Sequence, residues 1–269
     1  MLGASRGSLA GARESLDARR SEPGFDALTA DLFAVADLLG REKTLRVALA
    51  DSGQPEEGRV ALAQSLLGER VSALALTVVI DSLRRRWSNG SDLVTALETL
   101  AAQAAFTVAE ADGTLGSVEE ELFRFGRAID SSAELQMALT DPSLDTASKS
   151  GVVRTLLEGR VAPATASVLE YMAGHLRGRR ADIAVDELSD LAAEQRNRVV
   201  AEVRTAIALD DDQQRRISAA LSVLKGRAVQ LNVAIDPSVL GGIAVTVGDE
   251  VIDGTVATRL EQARRSLTG

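Results

Sequence analysis

The sequence predicts an α+β protein that is mostly helical, in which two related helical units precede a small α/β domain. Three observations support this prediction. Apolar residues recur at helical spacing, and aromatic residues are only 3% of the chain, which suits helices packed through aliphatic side chains. One segment of about forty residues repeats. After Arg196 the apolar period changes from that of a helix to that of a strand.

The repeat has a constant offset of 90 residues. Ten of the forty positions in residues 32–71 are identical to those in residues 122–161. Chance similarity between amphipathic helices is the alternative interpretation, but a fixed offset over this length favours duplication. We therefore predict that residues 1–99 are an additional copy of the helical bundle formed by residues 100–195.

Five or six helices are predicted within this second copy. Ser117 and Glu120 have the spacing of a capping box, which predicts a helix over residues 118–129. Its residues Leu122 and Phe125 recur on one face. The first helix is predicted over residues 101–111, and another around 152–157. Asp141-Pro142 is expected to end one helix and Pro163 to begin the next, and the last helix is predicted over 183–196.

Residues 196–269 are predicted to form the α/β domain, in the order strand, helix, strand, strand, helix. Residues 198–207 are rich in β-branched side chains. Asp210, with Gln213 three residues later, is expected to cap a helix over residues 212–224. Apolar and polar residues then alternate over 229–235, which is typical of a half-buried strand.

The segment 235–267 reads IDPSVLGGIAVTVGDEVIDGTVATRLEQARRSL and carries turn chemistry without catalytic side chains. Proline ends the preceding strand, and paired glycines permit positive φ before an apolar run. A Gly-Asp turn is expected between two short β-rich runs, and an apolar stripe at helical spacing follows from Val256. The residues that define this pattern are Asp236, Pro237, Gly241, Gly242, Gly248, Asp249, Asp253 and Gly254.

Composition excludes several classes of function. The chain has no cysteine and one histidine, so we expect no catalytic, cofactor-binding or metal-binding residues. Its net charge of −9 argues against a general nucleic-acid binder, and residues 100–195 alone carry a net charge of −8. The longest apolar run, residues 71–80, is too short to span a bilayer, so any membrane role is expected to depend on partners.

Three features have competing interpretations. The arginines at 84–86 and at 177, 179 and 180 end equivalent helices, where dipole compensation is favoured over phosphate binding. His175 is expected to be a helix-end cation or a satisfied surface residue rather than a ligand. The acidic run at 210–212 fits helix capping better than a cation site.

The strings DPSVLGG, VGD and IDGTV, followed by Arg259-Leu260, resemble the C-terminal signature of the delta subunit of F-type ATP synthase, the family of the oligomycin-sensitivity-conferring protein. FTVAEADGTL at 106–115 is similar to the family's first helix and turn. Two features depart from the family. Ala101 stands where the family often has tyrosine, and residues 1–99 are additional, as in the enlarged actinobacterial-type form.

The resemblance implies a non-catalytic peripheral-stalk subunit at the cytoplasmic face of the cell membrane, which links the alpha subunits of the catalytic head to the b-type stalk helices. It also implies a groove for an alpha N-terminal helix between the first and fifth helices of the bundle. We expect that groove to expose Phe106, Ala109, Val168 and Met172. A duplicated-helix regulatory or nucleic-acid-binding adaptor is the alternative, and an enzyme is the third class considered.

Overall fold

The computed structural model describes residues 3–196, 199–225, 229–237, 239, 241–247 and 250–253. The chain divides into two compact units, one ending at Arg196 and the other beginning at Asn197. The second unit begins within one residue of the α/β domain predicted from the sequence. No helix of the described residues is long and apolar enough to cross a bilayer.

The first unit is built from helices alone. A short 3₁₀ turn, Phe25–Ala27, separates its first two helices. In chain order the α-helices are α1 Ala4–Asp17, α2 Leu28–Arg41, α3 Lys43–Ala50, α4 Glu56–Leu67, α5 Ala73–Leu83, α6 Gly90–Ala111, α7 Leu115–Ser131, α8 Ala133–Thr140, α9 Thr146–Leu157, α10 Pro163–Gly174 and α11 Ala181–Arg196.

The duplication predicted from the sequence is visible in these helices. The starts of α3, α4 and α5 precede the starts of α8, α9 and α10 by 90 residues each. A side-chain contact repeats as well. Asp31 on α2 accepts a hydrogen bond from the backbone N–H of Ser72 at 2.9 Å, and Glu121 on α7 accepts one from Ala162 at 3.0 Å. In both copies an acid on the second helix therefore satisfies an N–H where the fifth helix begins.

The boundary predicted between residues 99 and 100 does not separate two compact units. Helix α6 runs through it and is the last helix of one copy and the first of the next. Arg13 on α1 bonds the side chain of Gln103 at 2.9 Å, and Gln103 in turn donates to Asp17 at 2.6 Å. Buried residues from Ala12 to Ala192 form one core. The two copies therefore share a helix and its packing.

Local signals placed several helix ends correctly, but three starts were wrong: α6 begins at Gly90 rather than 101, α9 at Thr146 rather than near 152, and α7 before its predicted cap. Helix α8 ends at Thr140, before Asp141-Pro142, and Pro163 opens α10. Ser117 does not cap a helix, because α7 begins two residues earlier, at Leu115. Gly113, at φ 71°, reverses the chain after α6, so the new helix starts at once and Ser117 lies within its first turn.

The second unit has a four-stranded sheet, formed by β1 Val199–Thr205, β2 Val229–Ile235, β3 Ile243–Val247 and β4 Glu250–Asp253. The strand order is β2-β1-β3-β4, in which β1 and β2 are parallel and the other pairs antiparallel. Helix α12 Asp211–Lys225 connects β1 to β2. The sheet has four strands, whereas the order predicted from the sequence had three, because the β-rich runs on both sides of the expected turn form strands.

Capping and turn chemistry in this unit follow the sequence. Asp210 accepts a hydrogen bond from the backbone of Gln213 at 2.8 Å, and the Gln213 side chain accepts one from the backbone of Asp210 at 3.0 Å, a reciprocal capping box. Gly241 and Gly242 have φ of 69° and 84°, so the positive φ expected there is confirmed. Strand β2 ends at Ile235, before Asp236-Pro237, as predicted. The predicted Gly-Asp turn and the helical stripe from Val256 fall on residues 248–249 and 254–269, which lie outside the described residues.

Candidate partner-binding site

A groove of about 260 Å³ opens on the helical unit, between α6, α10 and α11, with α1 and α2 of the additional copy at its edge. Val168 and Met172 on α10 and Leu191 on α11 form its apolar floor, and all three are buried. Four acidic residues and three basic ones also line it. The acidic set is Glu98, Glu187, Asp190 and Glu194, and the basic set is Arg13, His175 and Arg179.

Three aromatic rings form one wall of the groove. The ring of Phe33 on α2 stacks on that of Tyr171 on α10, with centroids 4.0 Å apart and planes inclined by 14°. The ring of His175 stacks on the other side of Tyr171 at 3.9 Å and 7°. Because Phe33 lies in the additional copy and the other two rings in the second, this stack joins the copies side chain to side chain.

His175 lies at the end of α10, as predicted, but its partners are specific. Its Nδ1 is 2.8 Å from the carbonyl oxygen of Tyr171, and Nε2 is 3.0 Å from Oδ1 of Asp37 on α2. A carbonyl only accepts, so Nδ1 carries a proton and donates to it. When the ring is protonated, Nε2 forms an ion pair with Asp37. Sequence analysis missed this contact, because the two residues are 138 positions apart.

Glu98 on α6 is the charged centre of the same wall. Burial raises the pKa of its carboxyl above the usual value, and the guanidinium groups of Arg177 and Arg179 oppose that shift. The hydroxyl of Tyr171 donates to Glu98 at 3.2 Å, and Arg177 pairs with it directly. Burial, followed by the charge of Glu98, raises the pKa of Tyr171, so its hydroxyl remains a donor.

The two arginine clusters are engaged within the fold. Arg84 pairs with Glu56 at 3.2 Å, and Arg85 donates to the carbonyl oxygen of Gly11 at 2.6 Å. In the second cluster, Arg179 pairs with Glu187 at 2.7 Å and Arg180 with Asp182. These contacts use the guanidinium groups that a phosphate would need, so they favour the structural interpretation over phosphate binding.

The four side chains predicted to be exposed in a partner groove are instead buried. Phe106 is 0% exposed, Ala109 2%, Val168 1% and Met172 5%. The prediction of exposure is wrong, because apolar residues on α6 and α10 face the shared core. Val168 and Met172 reach the groove as its floor, whereas Phe106 and Ala109 do not line it.

Several groove residues were not identified from the sequence. Tyr171 and His175 are the single tyrosine and single histidine of the chain and lie one helical turn apart, a signal that was available. Leu188 and Leu191 on α11 looked like ordinary core positions. Among the described residues, no group of three or more His, Asp and Glu side chains has the arrangement of a metal site.

Comparison with known proteins covers both units. A family model described as "ATP synthase delta (OSCP) subunit" matches residues 99–267. A protein named ATP synthase subunit delta from Parafrankia sp. (strain EAN1pec) is 47% identical over 278 residues, covering 100% of both chains. Proteins of that name from Streptomyces coelicolor (strain ATCC BAA-471 / A3(2) / M145) and Streptomyces griseus subsp. griseus (strain JCM 4626 / CBS 651.72 / NBRC 13350 / KCC S-0626 / ISP 5235) are 48% and 45% identical, and the matches cover at least 98% of each chain.

A solved structure also resembles the chain. It is titled "Cryo-EM structure of Toxoplasma gondii mitochondrial ATP synthase hexamer, composite model", and the similarity covers 64% of this chain and 98% of that one at 23% identity. Its TM-score is 0.30, too low to support any conclusion about fold or function.

Proposed function

Because the chain belongs to the ATP synthase delta (OSCP) family and so is a peripheral-stalk subunit of ATP synthase, we propose that it joins the alpha subunits of the catalytic head to the b-type stalk helices. In this role it transforms no substrate and works at the cytoplasmic face of the cell membrane, held there by its partners. The helical unit binds the N-terminal helix of an alpha subunit, and the α/β unit binds the stalk.

The groove beside α10 is the observation that carries the alpha-subunit part of this proposal. Its apolar floor suits the anchor residues of an amphipathic helix at i, i+3 and i+4 spacing. Glu187 and Glu194 are largely exposed at its rim, with 57% and 58% of their side chains accessible. Both pair with arginines of the same groove, Glu187 with Arg179 at 2.7 Å and Glu194 with Arg13 at 2.8 Å. The four acids of the lining still outnumber its two arginines and one histidine, so its net negative charge attracts basic residues on an incoming helix and disfavours acidic ones.

Binding of a synthetic alpha-subunit N-terminal peptide to the full-length chain tests this site. Reversing both rim charges, with Glu187→Lys and Glu194→Lys, should weaken peptide binding about tenfold and flatten its salt dependence. Glu158→Lys is the control, because Glu158 is exposed and lies outside the groove. Unchanged affinity in the double variant would remove the groove from the proposal.

The stalk part is tested by deleting residues 236–269. The shortened chain should lose the b-type subunits on purification from membranes while it still binds the alpha peptide. Retention of the b-type subunits would contradict the assignment of the second unit to the stalk. The nucleic-acid alternative is not favoured, since four of the arginines it would use are paired within the fold.

A further inference from the structure

Phe123 on α7 occupies the repeat position equivalent to Phe33 on α2, yet the two rings have opposite environments. Phe33 is 8% exposed because it stacks on Tyr171, whereas Phe123 is 66% exposed. The helix beneath Phe123 is otherwise well packed, with Val118, Leu122 and Ile129 fully buried. Phe123 therefore lies on the face of the second copy that corresponds to the face through which Phe33 contacts Tyr171.

The residue one turn after each phenylalanine differs in charge. In the first copy it is Asp37, whose carboxylate contacts Nε2 of His175. In the second copy it is Arg127, which is exposed and makes no ion pair with any described residue. On α7 the neighbouring charges do have partners, because Arg124 pairs with Glu120 at 2.6 Å and Glu119 with Arg196 at 2.7 Å.

The contact inside the molecule shows which kind of helix this face accepts. Phe33 meets Tyr171, and Asp37, four residues later, meets His175, four residues after that tyrosine. The two helices therefore run in the same direction where their side chains meet. Replacing the acid by Arg127 requires the facing residue to be an acid in place of histidine.

We propose that the face formed by Phe123 and Arg127 binds a helix of another ATP synthase subunit, which runs in the same direction as α7 and presents an aromatic ring followed four residues later by a carboxylate. The aromatic residue stacks on Phe123, and the carboxylate pairs with Arg127. A second copy of this chain does not fit, because the one exposed large aromatic residue of the described chain is Phe123, which is followed four residues later by Arg127 rather than by an acid. Only the statement that the partner is a subunit of ATP synthase rests on the proposed function.

A photo-cross-linking residue tests this surface in the intact complex. Phe123→p-benzoylphenylalanine is introduced into the full chain, the ATP synthase is purified and irradiated, and the cross-linked peptide is identified by mass spectrometry. We expect one dominant adduct, on a helix with an aromatic residue at i and Asp or Glu at i+4. The control is Glu158→p-benzoylphenylalanine, an exposed position in the turn that follows α9.

Charge reversal then tests the second contact. Arg127→Asp should lower the yield of the adduct about threefold, and Asp or Glu→Lys at the matching position of the partner should restore it. Arg124→Asp, which removes a pair within α7, should leave the yield unchanged. No adduct, an adduct within residues 197–269, or a partner segment without the acid would overturn the inference. Absence of the chain from the purified complex would instead contradict the proposed function.

Discussion

The ring of Phe33 lies 4.0 Å from that of Tyr171, although 138 residues separate them in the chain. This stack, with the Asp37–His175 contact beside it, joins the additional copy to the family's own helical unit. Phe33 and Phe123 each follow a buried leucine at equivalent positions of the repeat, yet Phe33 is buried against another ring and Phe123 is exposed.

This difference predicts unequal effects of the same substitution. Phe33→Ala should lower the free energy of unfolding by about 3 kcal/mol, because it removes a buried ring from the contact between copies. Phe123→Ala should change it by less than about 0.5 kcal/mol, because that ring is largely solvated. The fluorescence of Trp87, the single tryptophan and a buried residue, reports the urea transition of this unit. A loss for Phe33→Ala as small as that expected for Phe123→Ala would show that the stack contributes little stability.

A second prediction concerns the repeated acid on α2 and α7. Glu121→Ala removes hydrogen bonds to the backbone of Ala162 at 3.0 Å and to the hydroxyl of Thr165 at 2.6 Å, and should cost about 2 kcal/mol. Asp31→Ala removes the bond to Ser72 and should cost about 1 kcal/mol. Both are measured by the same urea titration, and the reverse order of losses would contradict the structural comparison.

The pKa of Glu98 predicts a pH dependence with a definite sign. Its folded-state pKa is raised above 4.5, so the folded chain holds this proton more tightly than the unfolded chain. The stability that Glu98 contributes is therefore complete at low pH and is lost as the pH rises through the interval between the unfolded and folded pKa values. The difference in unfolding free energy between wild type and Glu98→Gln, measured from pH 4 upward, should decline across that interval.

Asp145 provides the opposite control. Hydrogen bonds from Ser148 lower the pKa of its carboxyl below 3.8, so its contribution is lost as the pH falls through the folded-state pKa. The difference between wild type and Asp145→Ala should therefore shrink toward acid pH. If the difference in unfolding free energy between wild type and Glu98→Gln also shrinks toward acid pH, Glu98 is not held in a desolvating environment.

The capping box of α12 gives a prediction confined to the second unit. Asp210→Ala removes the hydrogen bond to the backbone of Gln213 and should cost about 1 kcal/mol. Amide exchange in α12 and β2 should accelerate, while the urea transition seen by Trp87 stays where it is. A shift of the Trp87 transition would mean that the two units unfold together.

Elements set by local chemistry were predictable from the sequence. Strand β2 has the predicted bounds of residues 229–235, since its alternation is strict. Helix α10 begins at Pro163 because proline fits the first helical turn. The start of α7 was missed, because a Ser-x-x-Glu spacing looks the same at a cap and inside a first turn.

Contacts between distant helices were not predictable. Apolar spacing identified Val168 and Met172 as a pair on one face but could not say whether that face meets a partner or the core. The wall of Phe33, Tyr171, His175 and Glu98 draws on three helices, and no periodicity in one segment reports the other two. The positive φ of Gly241 and Gly242 was predictable, because a turn at these positions constrains the backbone of the glycines themselves.

The helix common to both copies ties the length of the chain to its integrity. Leu93, Leu97 and Leu100 are fully buried in α6, a helix that packs against helices of the additional copy and of the second copy. Cutting the chain at residue 99, where the family match begins, would remove the start of α6 and leave the rest of that helix without the helices of the additional copy that pack on it. A form of this protein without the additional copy is therefore expected to need compensating changes on the surface of α6, whether or not that copy binds a partner.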